Sequence, residues 1–161
     1  MSQPLPQTVK GDSASERLQA LGLKLPVLAG TTHLVPHRTV SSTIHLSGQL
    51  PFEDGELLGR GVVGRDVELE TARPLARHAA LNCLAAAVQA LGDLDRVRIV
   101  QMLVFVASTP DFGVQSQVAD AASELLIEVL GENGRHARTA IGVAGLPLNT
   151  PVEIQVICTA V

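Results

Sequence analysis

The chain has 161 residues and a mass of 16.9 kDa, room for one domain with a substantial core and too little for two ordinary ones. Twelve basic and 16 acidic residues give a net charge of -4, so no basic field gathers phosphates, and three Phe with no Tyr or Trp leave almost no stacking platform for single-stranded nucleic acid. At 46% hydrophobic and 17% charged, the composition excludes a disordered chain.

Residues 1–12 hold two prolines and no apolar leader, and read as a flexible lead to a single domain over residues 13–161. No run approaches the ~18 apolar residues of a membrane span, so a cytoplasmic location is expected. Ser13 and Glu16 have capping-box spacing, Leu18 and Leu21 share one side, and Gly22 supplies a stop, which predicts a helix of about two turns. From Val40 to Leu50 the even positions Val40, Ile44, Leu46 and Leu50 alternate with polar odd ones, as in a strand with one buried face. Asp54-Gly55 then suggests a hairpin turn into Leu57–Val63. Leu75, Ala79, Cys83, Ala87 and Leu91 keep helical spacing across Thr71–Leu91, with Pro74 tolerated in the first turn and Gly92 as the stop.

Val97–Ala107 is apolar on both faces, as a central strand is. Pro110 and Asp111 end it, and Val118, Ala122, Leu125 and Val129 mark a second long helix stopped by Gly131. Strands near Arg138–Ala144 and Val152–Ala160 complete the order: a short helix, then β-β-α-β-α-β-β. The class is α+β, one sheet on two long helices, and no element remains to cover the second apolar face. Neighbouring subunits are expected to do so.

Gly59, Gly61 and Gly64 satisfy G-x-G-x-x-G, but the helix follows too late and residue 84 is Leu where a ribose-binding acid would stand. The histidines at 33, 37, 45, 78 and 136 show no metal-ligand spacing, no serine lies in a nucleophile elbow, and neither a metal nor a cofactor is expected. Cys83 and Cys158 lie in apolar contexts and read as reduced, buried thiols. The C-terminal hairpin is more informative. Arg138 opens a row of small residues, Ala140, Gly142 and Ala144, while Val152, Ile154, Val156 and Cys158 turn Glu153 and Gln155 to the opposite face of the last strand. Such an Arg and Glu form either a surface or interface ion pair or a ligand site.

Ser47-Gly48-Gln49-Leu50-Pro51, Gly92–Val97, Asp111-Phe112, Ala137-Arg138-Thr139, Leu146-Pro147 and Val152-Glu153-Ile154 occur in an order that resembles the RidA/YjgF family of reactive-intermediate deaminases, also labelled endoribonuclease L-PSP-like. The match runs from about residue 37 to 161, and the N-terminal helix with Gly134–Arg138 is similar to a longer subgroup. The resemblance implies a chorismate-mutase-like fold of the bacillus type, assembled as a homotrimer with ligand clefts between subunits. It implies that Arg138 binds a substrate carboxylate, Glu153 positions the attacking water, and Gly48, with Ser47 beside it, lines the pocket. The expected activity is hydrolysis of small 2-imino acids to 2-oxo acids and ammonia. The alternatives are a non-catalytic binder of small carboxylate metabolites and, against the charge balance, a ribonuclease or translation inhibitor. The family pattern has a pocket Tyr, absent here, for which His37 or His45 could substitute, and a Cys where this chain has Ala140, whose main-chain N–H could serve instead.

Overall fold

A computed structural model describes residues 11–28 and 33–161; most of the expected flexible lead lies outside them. Helix α1 (Ala14–Ala20) opens on the Ser13–Glu16 capping box, both reciprocal hydrogen bonds of which are made. Arg17 Nε reaches the Val129 carbonyl at 2.8 Å, tying α1 to the end of the last helix.

The first sheet segment is not one strand. Strands β1 (His37–Val40) and β2 (Thr43–Leu46) form a hairpin closed at Ser41, whose φ is 54°. Ile44 and Leu46 are buried on the expected parity, but Val40 is 59% exposed because the two-residue turn doubles the chain back at that point. The Asp54-Gly55 turn forms as expected, with both residues at positive φ, but it joins only β3 (Phe52–Glu53) to β4 (Glu56–Leu57). Residues 59–64 are a loop: Val62 N–H bonds the Asp66 carboxylate at 2.9 Å, and fully buried Val63 bonds the Ala107 carbonyl at 2.8 Å. No strand-turn-helix phosphate cradle exists there.

Helix α2 (Leu69–Leu91) begins two residues before the expected start, so Pro74 lies past the first turn. Its missing N–H leaves the carbonyl of exposed Glu70 to solvent. Strand β5 (Val97–Ala107), helix α3 (Gln115–Leu130), strand β6 (Ala137–Val143) and strand β7 (Val152–Ala160) follow. The five-stranded sheet runs β1-β2-β7-β5-β6, antiparallel except for the β5–β6 pair, so β5 lies between the last two strands and they do not form the expected hairpin; β3 and β4 form a separate ribbon.

Helices α2 and α3 cover one face. Ala72, Ala76, Ala79, Ala80, Ala86 and Ala87 of α2 are buried, small enough to bring the helix close to Met102, Val104, Ile154 and Val156 of the sheet. Each fully buried aliphatic side chain of this layer contributes about 1.5–3 kcal/mol. Outside it, Arg77 pairs with Glu128 at 2.7 Å and Arg73 with Glu124 at 3.5 Å, joining the two helices. The opposite face is uncovered and carries apolar side chains among polar ones: Val100 is 48% and Ile141 43% exposed and Leu103 and Phe105 are only half-buried, with Thr139 and Gln155 beside Leu103.

Candidate functional site

The strand registers decide which groups can meet. Glu153 pairs with Phe105, and Phe105 with Ile141, so these three form one row across the uncovered face. Arg138 pairs with Met102, which pairs with Val156, a row on the helix-covered face. Arg138 and Glu153 of one chain therefore stand on opposite faces of its sheet. Ala140 belongs with Arg138, opposite fully buried Val104.

Glu153 is placed by the bridge between Gln49 and Ile154, whose main-chain hydrogen bonds of 2.7 and 2.9 Å bring the Ser47–Gln49 turn against β7. Gly48 has no side chain for a direct reason: a Cβ there would fall on Glu153 Oε1 and stand 2.9 Å from Cδ. Burial raises the Glu153 pKa above its ordinary value, and among the described residues no cation pairs with it. A carboxylate in that state accepts a proton more readily near neutral pH. Ser47 is brought to the same place, but its hydroxyl donates to the Val35 carbonyl at 2.6 Å and its N–H to Pro36 at 2.9 Å. Its part is to hold the turn.

Beside Gly48 opens a cavity of about 580 Å3 between the Pro26–Leu28 segment, Leu34–Pro36, the Ser47–Leu50 turn, the β3–β4 ribbon and one side of α2. Of the two histidines considered in place of the pocket Tyr, His45 is exposed on the open face and His37 lies on the other; neither lines the cavity. Sequence reasoning passed over Asn82, which is 1% exposed and does line it. The signal was present: an Asn inside the apolar run Leu81-Asn82-Cys83-Leu84 is a poor helix former, placed where a hydrocarbon would serve packing better.

Arg138, 25% exposed, is held by α3: Nη1 donates to Asp120 Oδ1 at 2.8 Å and to Ser123 Oγ at 3.1 Å. Ser123 Oγ also meets His136 Nε2 at 3.0 Å, and His136 Nδ1 donates to the Gly134 carbonyl at 2.6 Å, so in the neutral ring Nε2 accepts from the Ser123 hydroxyl. Burial lowers the His136 pKa, with Arg138 adding to the effect. These contacts hold the guanidinium against α3, at the edge strand β6.

Both cysteines are buried and free. Burial pushes the Cys158 thiol up to about 11 and Cys83 higher still, far from a reactive thiolate. Among the described residues no cluster of His, Cys, Asp and Glu is arranged to hold a metal, and no helix is long and apolar enough to cross a membrane.

Residues 15–159 match the family described as "YjgF/chorismate mutase-like, putative endoribonuclease", and the chain belongs to that family. It is 42% identical over 150 residues to Protein TCP17 of Trypanosoma cruzi, covering 91% of this chain and 94% of that one. Among solved structures it is similar to Atu1372 of Agrobacterium tumefaciens, a protein of unknown function (42% identity, 92% of both chains, TM-score 0.85). A Shewanella oneidensis protein described as a "putative endoribonuclease" superposes with a TM-score of 0.88 at 31% identity, over 92% of this chain and 99% of that one.

Proposed function

We propose that the protein hydrolyses small 2-imino acids to 2-oxo acids and ammonia, at sites shared between copies of a homotrimer. The observation that carries this is the separation of Arg138 and Glu153 by the sheet. Arg138 stands on the β6 edge, Glu153 on the uncovered face, and the apolar row beside Glu153 needs a cover. An edge set against the face of the next copy is a heterologous contact, which closes into a ring of three when each copy is turned by a third of a circle. In that ring the guanidinium of one subunit faces the carboxyl of its neighbour.

A guanidinium fork holds the substrate carboxylate by two parallel hydrogen bonds and fixes the imine beside Glu153. Glu153 takes a proton from a water whose oxygen bonds to the imine carbon. That proton passes to nitrogen and leaves a carbinolamine; the same carboxyl then moves the hydroxyl proton to the amino group, the carbon–nitrogen bond breaks as the carbonyl forms, and ammonia leaves a 2-oxo acid. The imine is already electrophilic, so this route uses no cofactor. The half-buried carboxyl with its raised pKa suits the base, and two inert thiols suit a reducing compartment such as the cytoplasm. The endoribonuclease label fits less well, because net charge -4 opposes the approach of RNA.

Subunit mixing tests the reading. Arg138→Ala and Glu153→Gln are each expected to be inactive, and trimers reassembled from equal amounts of both to regain about one quarter of wild-type turnover, the share of contacts that join the two intact groups. Recovery of nothing, with mixed trimers confirmed by mass, rejects a shared site.

A further inference from the structure

The run Gly134–Arg138, of which the proposed chemistry uses only the last residue, is tied to α3 by a continuous chain of hydrogen bonds. Gly134 admits the close approach, since a Cβ there would fall on the Leu126 carbonyl. His136 Nδ1 donates to the Gly134 carbonyl at 2.6 Å, which leaves Nε2 to accept the Ser123 hydroxyl at 3.0 Å. The one hydroxyl hydrogen is thereby spent on His136. Ser123 Oγ meets Arg138 as an acceptor, 3.1 Å from Nη1, and Asp120 Oδ1 accepts from the same Nη1 at 2.8 Å.

Nη1 carries two hydrogens, and α3 takes both. A guanidinium offers a carboxylate two forks: its end, formed by Nη1 and Nη2, and its side, formed by Nη2 and Nε. Committing Nη1 closes the end. The hydrogen on Nε and the two on Nη2 have no partner among the described residues. We infer that Ser123 and His136 are positioning residues that fix Arg138 so that its Nε–Nη2 side is the fork that receives a carboxylate. The substrate itself rests on the proposed reading; the choice of edge follows from the hydrogen bonds. Neither residue touches substrate. Ser123 supplies the oxygen that occupies Nη1, and His136 keeps the hydroxyl hydrogen turned away from the guanidinium.

Nitrogen-15 NMR of the Arg138 Nε–H group, assigned by its loss in Arg138→Lys, tests the edge on the full-length protein with 2-oxobutyrate as the probe. The signal is expected to shift as the acid binds, because a side-on carboxylate bonds that hydrogen and an end-on one does not. Ser123→Ala should weaken 2-oxobutyrate binding by about 3–10-fold and raise KM for imine hydrolysis by a like factor, with kcat changed less than ~2-fold. Ser123→Thr, which keeps the oxygen, should restore both. His136→Leu should act in the same direction and less strongly, because the freed hydroxyl can turn to a carbonyl of its own helix. A binding acid that leaves Nε–H unmoved, wild-type affinity in Ser123→Ala or His136→Leu, or a loss in Ser123→Thr as large as in Ser123→Ala overturns the inference. Acetate, which carries the carboxylate and little else, separates it from the reading beneath it. If acetate moves Nε–H in wild type and less in Ser123→Ala while no imine is hydrolysed, the positioning stands and the 2-imino acid reading falls. If neither acid moves Nε–H, the positioning falls whether or not imines are hydrolysed.

Discussion

The two faces of the sheet are built from alternate residues of the same strands, yet they are held to different standards. On the covered face Met102, Val104, Ile154 and Val156 are fully buried, and Arg138 is bonded to Asp120 and Ser123 of α3. On the other face Glu153 lies half-buried beside Phe105 and Ile141, with no cation near it among the described residues. A charge without a partner and an apolar row without a cover are both unfavourable in a lone chain. Their coincidence on one face is the ground for proposing that face for contact and chemistry, while the other holds the core together.

The comparison breaks most sharply at Glu153. Glu153→Gln removes the proton acceptor with little change of shape, and turnover is expected to fall by roughly 10²–10⁴-fold while affinity for a 2-oxo acid persists. Gly48→Ala should lower turnover in the same way with the carboxylate retained, because its Cβ takes the place of Oε1. Steady-state kinetics with titration calorimetry check both variants; a Gly48→Ala enzyme of normal rate would detach the carboxyl position from catalysis.

Neighbouring positions on β5 give the next effect. Met102→Ala cuts into the covered core and should lower unfolding free energy by about 2–5 kcal/mol. Leu103→Ala, one residue along and on the open face, should cost the isolated fold less and weaken the ring instead, read as dissociation in concentration-dependent light scattering. If Leu103→Ala destabilises as much as Met102→Ala and leaves assembly intact, the open face is not an interface. A smaller change is expected from Asp120→Asn. The ion pair is partly exposed, so stability should move by under about 1 kcal/mol, while loss of the orienting charge should raise KM more than it lowers kcat.

What the sequence disclosed follows the same division. The limits of β5 were legible to the residue because Val97 and Ala107 bound a β-branched, largely apolar run interrupted only by Arg98 and Gln101, and the alternation of β7 placed Glu153 on the face opposite Ile154. The small row Arg138-Ala140-Gly142 was legible as a row. Which side of the sheet it faced was not, since that depends on α3 bringing Asp120 and Ser123 to Arg138 from 18 and 15 residues away. The turn at Ser41 escaped because Ser-Ser is not a hairpin dipeptide and the polar–apolar parity of Ile44 and Leu46 continues through it. Asn82 was hidden by its own helix, where periodicity counts apolar neighbours and says nothing of a lone amide.

The smallest expected effect contrasts the faces by sign. Glu153 has its pKa raised by burial above 4.5, so as pH climbs through this range the unfolded chain loses its proton first and the native state binds more protons. Its contribution to stability is full below 4.5 and is lost as pH rises through the raised folded value. His136 has its pKa lowered from 6.5, chiefly by burial, so its contribution is full above 6.5 and is lost as pH falls through the lowered value. Between 4.5 and 6.5 the open face therefore favours acid and the covered face favours base. Both groups are partly solvated, which holds each effect under about 1 kcal/mol, at most some 2–4 °C in a chain of this size. Melting temperatures from pH 4 to 8 on wild type, Glu153→Gln and His136→Gln resolve them as slopes. Glu153→Gln should gain on wild type as pH rises and match it in acid, whereas His136→Gln should carry a constant offset from its lost hydrogen bonds and gain on wild type as pH falls. A Glu153→Gln curve parallel to wild type would mean that burial does not penalise this carboxylate, and the base assigned to the open face would lose its physical ground.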